Sequence, residues 1–434
     1  MRTFFTLLHR YVGLLIAAFL FFSGVTGAVI SWDHELDDLL NPHLMHASTP
    51  GAPQSSLQLA RQIEARHPQV MVNFVPLAPE GPGESLAFGV TPRVNPTTAR
   101  LYEPGFNQVF VDPVSGAELG KREWGAVWPI TQETFVSFLY VLHYSLHLPE
   151  MWGIDRWGTW LMGGIAMIWT LDCFTGFYLT LPLRRRATNG TVAKSAGGAR
   201  AWWQRWKPAW LVRWRVGATK LNFDLHRAFS LWTWCLLFIL AFTAFSLNLY
   251  SEVFYPMMSK VSKVTPSPFD LRTPTDRHHP IEPRIPFAEI LTRARTVAVS
   301  RGWSAPAGAA FYSEEYGIYG VEFFTPEQGH GTGGVGHPRL YFDSADGRLL
   351  GDFRPWQGTV ADIFVQAQFP LHSGRILGLP GRILISSLGL VVAMLSVTGV
   401  IIWLKKRRAR LSALRRDAAT IDDDGANDPF HQER

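Results

Sequence analysis

Residues 8–31 read LHRYVGLLIAAFLFFSGVTGAVIS, and residues 225–250 read LHRAFSLWTWCLLFILAFTAFSLNLY. Both begin Leu-His-Arg and continue as an apolar run long enough to cross a bilayer, which takes about 20 residues. Two further runs lie at about 157–181 and 383–404. Asp172 is the charged side chain within the four runs. Arg2 ahead of the first run and Gly27-Ala28 near its end imitate a secretory signal. The run is longer than a signal core, and the third run repeats its entry motif, so it reads as a span.

Composition agrees. Of 434 residues, 47% are hydrophobic and 18% charged, against about 25% charged in soluble domains, which excludes a disordered chain and argues against a fully soluble one. The two cysteines, Cys173 and Cys235, are too few for a disulfide scaffold or a thiolate-held cluster or zinc. They read as packing residues, and the 14 histidines become the ligand candidates. The net charge of +6 is a matter of topology rather than nucleic-acid binding. Arg2 and Arg10 precede span one. Arg184, Arg185, Arg186, Lys194, Arg200, Arg205, Lys207, Arg213, Arg215 and Lys220 fill the stretch after span two. Lys405, Lys406, Arg407, Arg408 and Arg410 follow span four. Cationic loops stay cytoplasmic, so both termini and the connector are expected there.

The halves repeat in the same orientation. Leu142-His143 precedes span two and Leu371-His372 precedes span four. The segment Phe110–Gly120 parallels Tyr341–Gly351, each with an Asp-x-x-x-Gly turn. Apolar spacing predicts helices over Ser55–Arg66 and Pro286–Arg301. Alternation predicts strands over Val70–Val75, Ser85–Val90, Gln108–Val111, Gly308–Tyr312, Ile318–Phe324 and Arg339–Phe342. The expected organisation is a mixed membrane protein. Four transmembrane α-helices in two parallel repeats carry two extracytoplasmic α+β domains. The boundaries are 1–31 (first span), 32–130 (first α+β domain), 131–182 (outer interfacial helix and second span) and 183–225 (basic connector). They continue as 226–250 (third span), 251–360 (second α+β domain), 361–408 (outer interfacial segment and fourth span) and 409–434 (disordered tail).

These motifs, with Leu142-His143-Tyr144-Ser145-Leu146 and the Gly381–Arg382 pair, resemble the PepSY-associated transmembrane family over about residues 1–408. That family includes bacterial inner-membrane ferrisiderophore reductases. The resemblance implies PepSY-like periplasmic domains, haem b and electron transfer across the inner membrane to ferric siderophores or other ferric chelates. The chain departs from the pattern at span two, where His147 joins His143 and Asp155-Arg156-Trp157-Gly158 stands in place of the Gly-Arg pair.

A separate argument from the residues reaches the same cofactor. His9 and His226 open two spans from one side; His143 or His147, and His372, precede spans two and four on the other. Histidine at a membrane boundary is neutral and either bonded or ligating. A haem between two helices takes one axial imidazole from each, so two pairs imply two haems. A span of about 20 residues rises about 30 Å, a distance two such groups divide into short steps. Interfacial histidines bonded to water or carbonyls are the alternative. His143 and His147, four apart, are expected on one helical face, where both cannot ligate one iron from opposite sides. The repeat favours His143 and proximity to the span favours His147.

Propionates need cations, which nominates Arg10, Arg227, Arg375 and Arg382; interfacial snorkelling is the plain alternative. Asp172 suggests a proton relay or a helix contact through Thr175. His330, His337, His278 and His279 lie in polar loops that read as solvated. Trp124, Trp128, Trp152, Trp157 and Trp356 read as an aromatic belt. No nucleotide-binding fingerprint is present, so electrons are expected from a membrane quinol or a cytoplasmic reductase. Three functions remain open: a dihaem ferric-chelate reductase, a cytochrome b subunit serving another periplasmic acceptor, and a haem-free sensor or accessory protein.

Overall fold

The computed structural model describes residues 1–79, 81–183, 199–328 and 331–426. Arg184, Arg185, Arg186, Lys194, His330 and the tail beyond 426 lie outside the described residues. The chain forms two compact units. One comprises Met1–Val25, Gly164–Phe242 and Ser387–Arg434; the other comprises Thr26–Gly163 and Thr243–Ser386.

Among the described residues three helices are long and apolar enough to cross a membrane: Arg2–Ile30, Trp157–Thr180 and the Leu379–Leu414 part of a helix that runs to Ala426. Their most apolar stretches are only 28%, 39% and 28% buried, so most of that surface faces outward, as lipid contact requires. In the first unit Gly24 lets the first and last of these helices approach closely, since a Cβ there would lie 2.6 Å from the Gly389 carbonyl oxygen. Arg2 donates to the Leu181 and Leu179 carbonyl oxygens at 2.9 and 2.6 Å, satisfying carbonyls at the end of the Trp157–Thr180 helix.

The third expected span, 226–250, is not one straight helix. It is a pair, Ala218–Trp232 and Trp234–Asn248, bent by 72°. The break is at Thr233, whose hydroxyl donates to the Phe229 carbonyl oxygen at 2.7 Å. Such back-bonding competes with the helical ladder and bends it. The last helix also continues through residues expected to be disordered, as far as Ala426. Its Leu-Ser-Ala-Leu-Arg-Arg sequence is rich in helix formers.

The second unit carries one eight-stranded antiparallel sheet, ordered β4-β3-β2-β1-β5-β6-β7-β8. The strands are β1 Val70–Pro76, β2 Leu86–Pro92, β3 Gln108–Val111, β4 Glu118–Arg122, β5 Ala307–Ser313, β6 Ile318–Phe323, β7 Arg339–Asp343 and β8 Leu349–Phe353. The two expected α+β domains are therefore joined through β1 and β5. Each half alone would leave a strand edge with unpaired backbone groups, and the two edges satisfy one another. Phe74 pairs with Gly89, Phe311 pairs with Gly320, and Phe74 pairs with Phe311. The helices Ser56–Arg66 and Phe287–Ser300 each close a core. Ile63, Val72, Phe88 and Val109 fill the first; Ile290, Leu291, Tyr319 and Phe342 fill the second.

Candidate functional site

Four of the nominated histidines come together as two pairs. In the first unit, His9 on the Arg2–Ile30 helix and His226 on the Ala218–Trp232 helix hold their ring centres 6.4 Å apart, with planes inclined at 55°. The His9 Nδ1 lies 3.0 and 2.9 Å from the two carboxylate oxygens of Asp172. The His226 Nδ1 donates to the Leu395 carbonyl oxygen at 3.1 Å and lies 3.0 Å from the Thr398 Oγ1. That hydroxyl donates to the Met394 carbonyl oxygen at 2.8 Å, so it accepts from the imidazole. In both rings Nδ1 carries a proton.

The second unit repeats the arrangement. His143 ends the Phe135–Ser145 helix, His372 ends the Gln368–Ser373 helix, and their ring centres lie 6.1 Å apart with planes at 57°. Thr26 Oγ1 lies 3.1 Å from the His143 Nδ1, and Thr243 Oγ1 lies 3.0 Å from the His372 Nδ1.

Three of the rings lie over glycines. A Cβ on Gly176 would sit 3.4 Å from His9, on Gly399 3.3 Å from His226, and on Gly27 2.9 Å from His143. The sequence carries a signal for this that its histidines overshadow: Thr26-Gly27, Thr175-Gly176 and Thr398-Gly399, with Thr243-Ala244 as the fourth member.

A cavity of about 400 Å³ in the first unit is lined by His9, His226, Arg10, Arg227, Trp403 and Lys406 among others. Arg227 donates through Nη2 to the Pro208 carbonyl oxygen at 2.6 Å and to Asp224 at 3.2 Å. Its Nε is buried and unpaired. Among the described residues no three His, Cys, Asp or Glu side chains gather as they would around a bare metal ion. A porphyrin, which brings four ligands of its own, asks only for two imidazoles. A metal–imidazole bond of about 2.0–2.1 Å and roughly 1.1 Å from nitrogen to ring centre place two axial rings about 6.2–6.4 Å apart. The observed 6.4 Å matches that spacing, and 6.1 Å falls about 0.1 Å short of it.

His147 stands elsewhere. The helix stops at Ser145, and Leu146 and His147 take left-handed conformations with φ of 55° and 52°. The expected shared face with His143 is thereby lost. The His147 ring stacks on Phe138 at 4.6 Å and its Nε2 lies 2.8 Å from the Phe138 carbonyl oxygen. Asp172 serves His9 directly. His337 stacks on Phe324 at 4.1 Å; His278 and His279 lie beside Glu150 and Asp276 at 3.7 and 3.4 Å.

The two outer arginines are paired with acids. Arg375 lies 3.5 Å from Asp33. Arg382 holds both carboxylate oxygens of Glu35 at 2.7 and 2.6 Å and also donates to the Ser31 carbonyl oxygen. Hydrogen bonding from Arg382 lowers the Glu35 carboxyl from its ordinary 4.5 to about 2. A depressed carboxyl stabilises the fold above its unfolded value and loses that contribution as pH falls through the folded one. The pair should therefore stabilise the protein fully above about pH 4.5 and fade toward about pH 2. Thermal midpoints of solubilised protein test this. Glu35→Gln should melt earlier than the parent at about pH 6, with the gap narrowing below about pH 4.5 and closing only near about pH 2; a constant gap would remove the assignment.

Apolar helices exposing most of their surface, together with a separate antiparallel sheet domain, define a membrane protein with an added sheet domain. The chain belongs to the family described as the PepSY-associated TM region, whose model matches residues 6–406. None of the curated proteins matches the chain.

Proposed function

We propose that the protein is a haem b oxidoreductase of a bacterial inner membrane that passes electrons outward to a ferric chelate, such as a ferric siderophore. The observation that carries this reading is the ring spacing, 6.4 and 6.1 Å, found twice with Nδ1 engaged in all four imidazoles. His9 and His226 would hold one haem, His143 and His372 the other. A haem bound there supplies one-electron redox chemistry.

The chain's own residues would do the rest. Bonds to Nδ1 hold each ring's orientation and would leave Nε2 as the nitrogen available to a haem. Gly176, Gly399 and Gly27 leave room for flat rings between helices. Arg10, Arg227 and Lys406 bring positive charge to the first cavity, where propionates would sit. Reduction weakens iron's hold on hard oxygen ligands, so the product would release its metal. Quinol or a cytoplasmic reductase would supply electrons.

The test is a visible spectrum with a haem count on the purified protein. Two low-spin haems per chain and chelate-dependent reoxidation are expected; a colourless, fully folded preparation would sink the reading and favour a sensor or accessory role. Topology is tested separately. In a background lacking Cys173 and Cys235, an impermeant thiol reagent on intact cells should label a cysteine at position 346 and spare one at 215. The reverse pattern would invert the proposed direction.

A further inference from the structure

The two histidine pairs differ in one respect. In the second pair each Nδ1 meets a threonine hydroxyl, Thr26 or Thr243. In the first, His226 meets a carbonyl and a hydroxyl, but His9 meets both oxygens of a carboxylate that is buried, Asp172 being 8% exposed. The repeat shows this as a departure within the molecule. Asp172 stands four residues before Gly176, and Leu395 stands four residues before Gly399. The second half therefore puts an apolar side chain where the first half puts an acid, and the backbone carbonyl of Leu395 takes over as acceptor.

We infer that Asp172 is a positioning residue that makes the His9–His226 site the low-potential end of the electron path. The inference rests on the haem reading and adds a direction to it. A carboxylate accepting the Nδ1 proton increases the electron-donating strength of the imidazole at Nε2. A stronger donor stabilises ferric over ferrous iron, so the potential falls. A buried negative charge at hydrogen-bond distance acts in the same sense, because little water screens it. Hydroxyl and carbonyl partners do this less. Electrons entering at the first site would then run downhill to the second, and the protein would conduct outward by the chemistry of one side chain.

The test is a potentiometric titration of the purified, haem-loaded full-length protein, followed by visible and electron-spin spectra. The unmodified protein should show two components with distinct midpoints. Asp172→Asn keeps an oxygen near His9 but removes the charge. It should raise only the lower component, by at least a tenfold change in the oxidised-to-reduced ratio at fixed poise, about 59 mV for one electron. Haem content should stay at two per chain. Asp172→Leu should move the same component further and alter its low-spin signal. A merely structural contact between helices would leave the midpoint in place. One coincident midpoint in the unmodified protein, or a shift confined to the higher component in Asp172→Asn, overturns the inference without touching the haem reading. Protein that binds no haem overturns that reading, and this inference with it.

Discussion

His372→Ala is expected to leave one haem per chain and to lower ferric-chelate reduction by at least about 100-fold, a barrier increase of about 2.7 kcal/mol. His372 is one of two imidazoles facing each other at 6.1 Å in the second unit. Alanine supplies no axial nitrogen, so His143 alone would hold that iron weakly and in a changed spin state. The other haem should remain reducible by dithionite, which separates loss of a site from loss of the fold. His143→Ala should behave in the same way. His147→Ala should not, because its Nε2 is engaged with the Phe138 carbonyl oxygen and its ring lies on Phe138. Retention of both haems and of full rate in His372→Ala would remove the second pair from the mechanism.

The second large effect is expected from Gly27, which carries no polar atom in its side chain. A methyl there would lie 2.9 Å from the His143 ring, closer than side-chain carbons approach real neighbours. The ring is tied to Thr26 at 3.1 Å, so it cannot move aside without breaking that bond. Gly27→Ala should therefore cost most of the haem proposed for the second pair. The rank order is the sharper test. Gly176→Ala brings contact at an ordinary 3.4 Å, and Gly399→Ala brings a tighter contact at 3.3 Å that the His226 ring must ease by a small shift; losses should be least at Gly176 and intermediate at Gly399. Haem content measured across the three variants checks the order. Equal losses, or the greatest loss at Gly176, would show that ring packing does not govern occupancy.

Much of this architecture is legible from hydropathy and repetition. The apolar runs announce the long helices, and the duplicated Leu-His-Arg and Leu-His motifs single out His9, His226, His143 and His372. Other features are hidden for physical reasons. Thr233 sits between tryptophans in an apolar run, so nothing in composition marks the 72° bend. Strands β4 and β8 are short, glycine-centred and half-exposed at the sheet edges, and alternate too weakly to be read. The partition of His143 from His147 depends on the left-handed Leu146, a conformation the sequence does not announce. The Arg382–Glu35 pair, 347 residues apart, is likewise a contact that only the fold reveals. The threonine–glycine pairs are visible in the sequence, but their meaning needs the ring beside them.

The central pairing of the sheet bears on the ancestry of the chain. Phe74 and Phe311 occupy matching places in the two halves, each facing a glycine on the next strand, and they face one another. A position paired with its own counterpart in an antiparallel ladder lies on a twofold axis, the geometry of an isologous dimer. A half-length chain with this sequence pattern would offer the free edge of its first strand, and two copies would close it without further design. Joined in one chain, the halves need not be identical. One half carries Leu395 where the other carries Asp172, a difference that no symmetric pair of identical chains can hold.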